Sequence, residues 1–207
     1  MIKLRYEKPM TIVEFESSRI QDEAAISEAV ESVVSAGKET SLIFVAGMGT
    51  AEKRLVEAGE KSAGQDLVLA STLAEGARTS LMQVAHQVTS DAVSTETQNL
   101  LSELFDELSD LLHGVYLIGE LGSQARRILE SYAERSGAII MAQALKEKEV
   151  QAQAVCGRQI YLANNPQTPE SFNEKLLADF QHEISTLSQA GVISVLPASL
   201  RSLAIQK

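Results

Sequence analysis

The sequence has a single cysteine, no tryptophan and little aromatic surface of any kind, with 4% Phe, Trp and Tyr. Cys156 alone makes no intrachain disulfide and no thiolate metal cluster, which fits a reduced, cytoplasmic setting. So few aromatic rings leave few platforms on which bases or sugars stack. Positive charge is also short: 18 Lys and Arg stand against 28 Asp and Glu, a net charge of −10. Without a basic stripe, nucleic acid is an unsuitable partner on electrostatic grounds. No apolar run approaches the roughly 20 residues that span a bilayer, so no membrane association is expected. Met1-Ile2-Lys3-Leu4-Arg5 alternates charge and lacks the apolar stretch of a signal peptide. What is present is ordinary. The 207 residues are 44% hydrophobic, enough to fill the core of one compact α/β domain.

Thr11 to Phe15 alternates and predicts a strand, with Ile2 to Tyr6 as a possible extra edge strand separated from it by Pro9. Ile26, Val30, Val33 and Val34 recur at helical spacing, and Gly37 stands where a C-cap belongs. Ser41 to Val45 is a short continuous apolar run bounded by Gly47 and Gly49, the signature of a buried parallel strand. This β-α-β start implies a parallel sheet. From Leu67 to Leu112 there is no strand signal. Leu73, Ala77, Leu81, Val84 and Val88 mark one helical stripe, and Leu101, Leu104, Phe105, Leu108, Leu111 and Leu112 mark another. The polar Ser90-Asp91 region joins them into a hairpin beside the sheet. After a break at Gly119 and Gly122, a third helical stretch carries Ile128, Leu129, Tyr132, Ile139 and Ile140. Val150 to Val155 alternates as a strand, and Ser171 with Glu174 forms a capping box that opens a helix through Leu187. Gly191 ends that helix, and Val192 to Val195 is the last strand.

Few residues here point to chemistry. His86, His113 and His182 lie in separate helical segments without a ligand partner at helical spacing, which favours structural or solvent-exposed roles. Cys156 stands beside Gly157 and Arg158, and a buried strand-end thiol is normally inert. Ala46-Gly47-Met48-Gly49-Thr50 joins a strand to a helix, where glycines let backbone N–H groups approach an anion. It lacks a third glycine and a following Gly-Lys-Ser/Thr, which favours a plain tight β-α turn. Glu134-Arg135 taken alone is an ordinary charged pair on a helix. Glu14 is the odd residue, an acid inside an otherwise apolar strand that must face water or a partner.

Taken together, these elements resemble the aspartate kinases of the amino-acid kinase family. The closest stretch runs from Leu108 to Ala144. It contains Leu-Leu-His-Gly-Val-Tyr-Leu-Ile-Gly-Glu at 111–120, similar to the family's "LLxGxxLLGE", followed by Ser131-Tyr132-Ala133-Glu134-Arg135-Ser136-Gly137. That second segment resembles the family's "SxGERLSA" helix, whose glutamate holds the substrate's amino group. The resemblance therefore implies Glu134 in that role, with Ala133 replacing a glycine and Ser136-Gly137 departing from the usual ending. It extends more weakly from Thr11 to about Leu196. The implied fold is a three-layer αβα arrangement with a mainly parallel sheet. Residues 1–207 would form a single domain, with 66–113 as a helical hairpin insertion.

The departures carry the functional expectation. The family's first strand ends in Lys-Phe-Gly-Gly-Thr-Ser, whose lysine neutralises phosphate charge in the transition state. Here the residues are Glu14-Phe15-Glu16-Ser17-Ser18-Arg19. Glu14 reverses the sign of that charge, while Glu16 and Ser17 put side chains where phosphate would approach. Each change costs several kcal/mol of transition-state stabilisation, roughly a thousandfold in rate. The family's serine and threonine near the second strand fall at Val45 and near Ala51. Gly49 is kept, and Thr50 is a possible substitute, so Gly49 and Thr50 join Glu134 as substrate-binding candidates. The family's nucleotide half, with its "GRGGSD" loop, and its ACT domains have no counterpart in 1–207. The resemblance thus implies a noncatalytic binding or regulatory protein, expected without a cofactor, with ATP and Mg only if it is a working kinase. A small amino acid is a possible ligand, and another copy of itself or a complete amino-acid kinase subunit a possible partner.

Overall fold

The computed structural model describes residues 11–36, 40–163 and 170–205. The stretch Ile2–Tyr6, Gly37 and Pro169 lie outside the described residues. Within them, strands β1 (Thr11–Phe15), β2 (Thr40–Val45), β3 (Ala152–Ala154) and β4 (Ile193–Pro197) form one parallel sheet in the order β1-β2-β4-β3. Helix α1 (Glu23–Ala36) makes the first crossover, as the β-α-β pattern predicts. Then come α2 (Ala51–Ala63), α3 (Leu67–Val88), α4 (Asp91–Ile118) and α5 (Ser123–Glu147) before the chain returns to the sheet at β3. Helices α6 (Arg158–Ala163) and α7 (Glu170–Gln189) lead to β4, and a short 3₁₀ turn at Ala198–Leu200 runs into α8 (Arg201–Ala204).

The sheet is covered on both faces, which gives the three-layer arrangement. Ile43, Val45 and Val195 point into the larger core with Ile26, Val30 and Val33 of α1 and with α5. Leu42, Phe44 and Leu196 point the other way, against Phe180 and Ile184 of α7 and Leu200 and Ala204. That alternation follows from the period of two along each strand. β1 lies at the edge, and its second face is thinly covered: Ile12 is 36% exposed.

Helices α3 and α4 are the helical hairpin, and they pack on α2 and α5. Small residues let α3 pack closely: Ala70, Ala74, Ala77 and Ala85 are buried on it, as are Leu101, Leu104, Phe105, Leu108 and Leu112 on α4. Asp66 caps α3 by accepting the Leu69 N–H at 3.0 Å. Gly119, at φ +75°, terminates α4, since a left-handed residue ends a helix at little cost when it is glycine. α4 therefore continues past residue 113, the expected end of the insertion. α7 is described from Glu170, so the expected cap at Ser171 falls at the margin of the described residues. One further detail differs from the pattern reading. β3 keeps only three of the six alternating residues, because its ladder with β4 spans Ala152 to Ala154.

α5 is the central element. From Arg135 to Leu145 it is buried on every side, between the sheet and helices α2 and α4. Such a helix must be largely apolar or small; Gly137, Ala138, Ala142 and Ala144 meet that demand, while Arg135 and Gln143 are buried polar exceptions. A Cβ on Gly137 would lie 3.2 Å from both the Ala46 carbonyl oxygen and Met48 Cγ. The glycine thus lets α5 pack directly onto the turn that follows β2.

Candidate functional site

Phe15, Val45 and Pro197 lie in register across β1, β2 and β4. The chain therefore leaves all three strands at one level, and in parallel α/β sheets ligands bind beyond these carboxyl ends. Three segments meet there: Glu14 and the residues after β1, the Ala46–Thr50 turn, and the Ala198–Ala204 segment after β4. α5 brings Glu134 to the same edge, one helical turn before Gly137.

Glu134 lines a cleft of about 280 Å³ together with Glu52, Arg127, Glu130, Tyr161 and Ser199, over an apolar floor that includes Leu200. Its carboxylate is already engaged. Ser199 donates its backbone N–H to Glu134 Oε2 at 3.2 Å and its hydroxyl to the same oxygen. The Ser199 hydroxyl also shares a hydrogen bond of 2.6 Å with the Tyr161 hydroxyl. Burial pushes the Glu134 carboxyl above its ordinary range, and the charges of Glu52 and Glu130 add to that, while the Ser199 hydrogen bonds oppose it. Burial raises the Tyr161 hydroxyl as well. A desolvated carboxylate among like charges suits a cationic group more than an anionic one.

The turn from Ala46 to Thr50 is shaped by geometry. Gly49 has φ +53°, in the left-handed region that favours glycine. Thr50 is exposed at the start of α2, and its side chain makes no capping hydrogen bond. Neither residue lines the cleft around Glu134. A Cβ on Gly47 would lie 2.8 Å from Glu52 Oε2, so a carboxylate from the first turn of α2 folds over that glycine. Negative charge there complements the helix dipole without any ligand.

Glu14 stands on the thinly covered face of β1. Arg201 Nη1 lies 2.6 Å from Glu14 Oε2, with the two side chains 54% and 42% exposed. The acid in the apolar strand thus has both a partner and water, which removes the cost of placing it there.

A second polar cluster adjoins the cleft. Arg135 is buried, stacks 5.0 Å from the Tyr132 ring and pairs with Glu107 at 3.3 Å. Arg158 pairs with the same Glu107 oxygen at 2.9 Å. A pocket of about 120 Å³ lies beside them and shares Ile128 and Tyr161 with the cleft. Arg135 is therefore an internal tie between α4 and α5, not one half of a surface charge pair. Cys156 lies beside it, with Sγ 4.0 Å from the Arg135 carbonyl oxygen, and burial raises its thiol pKa. His86, His113 and His182 are all exposed. Among the described residues, no group of His, Cys, Asp and Glu is placed to hold a metal ion, and no helix is long and apolar enough to cross a membrane.

Sequence reasoning missed Ser199, Tyr161, Arg201 and Glu52. Three of them are common polar residues in unremarkable local sequence, and only the register of β4 beside β2 brings residues 199 and 201 to this edge. Glu52 had a signal, an acid at the second position of a helix that follows a glycine turn.

No protein-family model matches the chain, and no curated protein does. Two solved structures of Escherichia coli aspartokinase III are similar to it in fold. The complex with aspartate and ADP (R-state) aligns with a TM-score of 0.66 at 16% identity, covering 91% of this chain and 40% of that one. The complex with lysine and aspartate (T-state) aligns with a TM-score of 0.68 at 13% identity, covering 90% and 40%. This chain spans about two fifths of their length, and over that stretch it has an aspartokinase-like α/β fold.

Proposed function

We propose that this chain is a noncatalytic aspartate-kinase-like domain that acts by binding, as a regulatory or docking partner in aspartate-family amino-acid metabolism. The observation that carries this reading is the Glu14–Arg201 pair. At the position where the resemblance calls for a cation to meet the polyphosphate, the chain has a carboxylate, held at 2.6 Å by an arginine from its own α8. Transition-state charge in phosphoryl transfer is stabilised by preorganised cations and N–H donors. The Glu14 carboxylate and the Glu52 carboxylate over Gly47 oppose that, and Glu16 adds a further acid just after β1. A second chain can add residues to such a site but cannot remove these carboxylates, which weakens the alternative of a kinase subunit completed by a partner.

The partners that fit are a second copy of the chain or a complete amino-acid kinase. No ATP or Mg is needed for this role. A small amino acid at Glu134 has to displace Ser199 first. That intramolecular contact favours a further reading, a scaffold without any ligand. A thermal-shift screen of the full chain against amino acids and nucleotides separates the two, because a ligand bound only to the folded state raises the midpoint. An upward shift with an amino acid that Glu134→Gln abolishes supports binding, and a flat response to every compound supports the scaffold. A shift with ATP would count against both.

A further inference from the structure

We infer that Ala198–Ala204 is a two-ended latch that engages Glu134 and Glu14 together, so that whatever takes one carboxylate loosens the hold on the other. The segment has an apolar root and two polar tips. Leu200 and Ala204 are buried in the smaller core. A Cβ on Gly157 would lie 2.5 Å from Leu200 Cδ1, so Leu200 rests on bare backbone there. On one side of the root Ser199 reaches Glu134 on α5, with Tyr161 bracing its hydroxyl. On the other, Arg201 reaches Glu14 on β1.

A single residue separates the two tips, so they cannot move independently by much. The segment is a 3₁₀ turn followed by a four-residue helix. Besides the bond that closes α8, from the Ile205 N–H to the Arg201 carbonyl at 3.1 Å, it is tied to α7 by the Gln181 side chain, which donates to the Leu203 carbonyl at 3.0 Å. Short elements with few internal bonds open at low free energy and as units. Coupling of two sites through such a unit is reciprocal. A cation that replaces Ser199 at Glu134 would therefore weaken the Arg201 contact, and a partner that captures Glu14 or Arg201 would expose Glu134. This device goes beyond the noncatalytic reading and stands whether or not the chain phosphorylates anything.

The test needs no ligand. In the full chain, the side-chain carboxyl carbons of Glu14 and Glu134 are observed by NMR in Ser199→Ala and in Arg201→Gln, both changes of exposed residues. The latch predicts a crossed response: Ser199→Ala shifts Glu14, and Arg201→Gln shifts Glu134. It also predicts roughly tenfold faster amide exchange across 198–204 in either variant, as loss of a charge-assisted bond implies. Glu14→Gln, read at the Ser199 amide, gives an independent route to the same coupling. Shifts confined to the carboxylate that lost its own partner, or unchanged exchange in the segment, would overturn the latch.

Discussion

Ser199 and Glu134, 65 positions apart in the chain, are joined by two hydrogen bonds to one carboxylate oxygen. The group that the aspartate-kinase resemblance assigns to a substrate ammonium is thus already satisfied from within, in a cleft where burial raises its pKa.

That shift has a sign. A carboxyl whose folded pKa is raised contributes stability that is present below its unfolded value, near 4.5 here, and is lost as pH rises through the folded value. Glu134→Gln keeps the neutral form at every pH. Its urea midpoint should match that of the parent near pH 4 and exceed it by pH 7. Glu96 behaves oppositely: hydrogen bonds from Lys146 and then Gln143 lower its pKa, so its contribution is present above 4.5 and fades as pH falls. Glu96→Gln should therefore flatten the acid limb of the stability curve. Parallel pH profiles for all three proteins would refute both assignments.

The Glu14–Arg201 pair should matter little for stability. Both side chains are about half exposed, and exposed ion pairs typically couple by about 0.2–1 kcal/mol. A double-mutant cycle with Glu14→Gln and Arg201→Gln should return a coupling below about 1 kcal/mol, smaller still in high salt. A much larger value would mean the pair is a structural keystone instead of a lid on an edge strand.

Arg135 and Arg158 share one glutamate and should differ sharply. Arg135 is buried and also stacks on Tyr132, whereas Arg158 is 56% exposed. Arg135→Ala should cost about 3 kcal/mol, because it removes a buried charge partner and leaves a void. Arg158→Ala should cost less than about 1 kcal/mol. Denaturant unfolding of the two variants checks the ranking, and equal losses would contradict it.

Two glycines make opposite predictions. Gly157 has φ +56°, and an added Cβ would meet Leu200 Cδ1 at 2.5 Å, so Gly157→Ala should destabilise by about 1–3 kcal/mol. Gly114 lies inside α4, where an added Cβ meets nothing within 4 Å. Gly114→Ala should stabilise by about 0.5–1 kcal/mol. At this chain length each kcal/mol moves the melting temperature by roughly 2–4 °C, so thermal melts suffice to see both signs.

Much of the scaffold is written in local pattern. The apolar run at Ser41–Val45, the stripe from Leu101 to Leu112 and the break at Gly119 each encode an element through side-chain period or backbone freedom, and each is found where the pattern puts it. The edge is less legible. Glu14 is conspicuous as an acid in a strand, yet its partner Arg201 sits 187 positions away, beyond any periodic signal. Arg135 resembles a surface charge in sequence because nothing local says that α5 is enclosed on all sides. Gly137 departs from the family ending, and its reason, the Ala46 carbonyl 3.2 Å from a would-be Cβ, is a tertiary contact.

The proposed reading is that a carboxylate at Glu14, already paired with Arg201, stands where phosphate transfer would need a free cation. The direct measurement is aspartate-dependent ADP release from ATP and Mg by the full chain alone, where no release above the enzyme-free background is expected. Turnover that requires this chain and disappears in Glu134→Gln would contradict it.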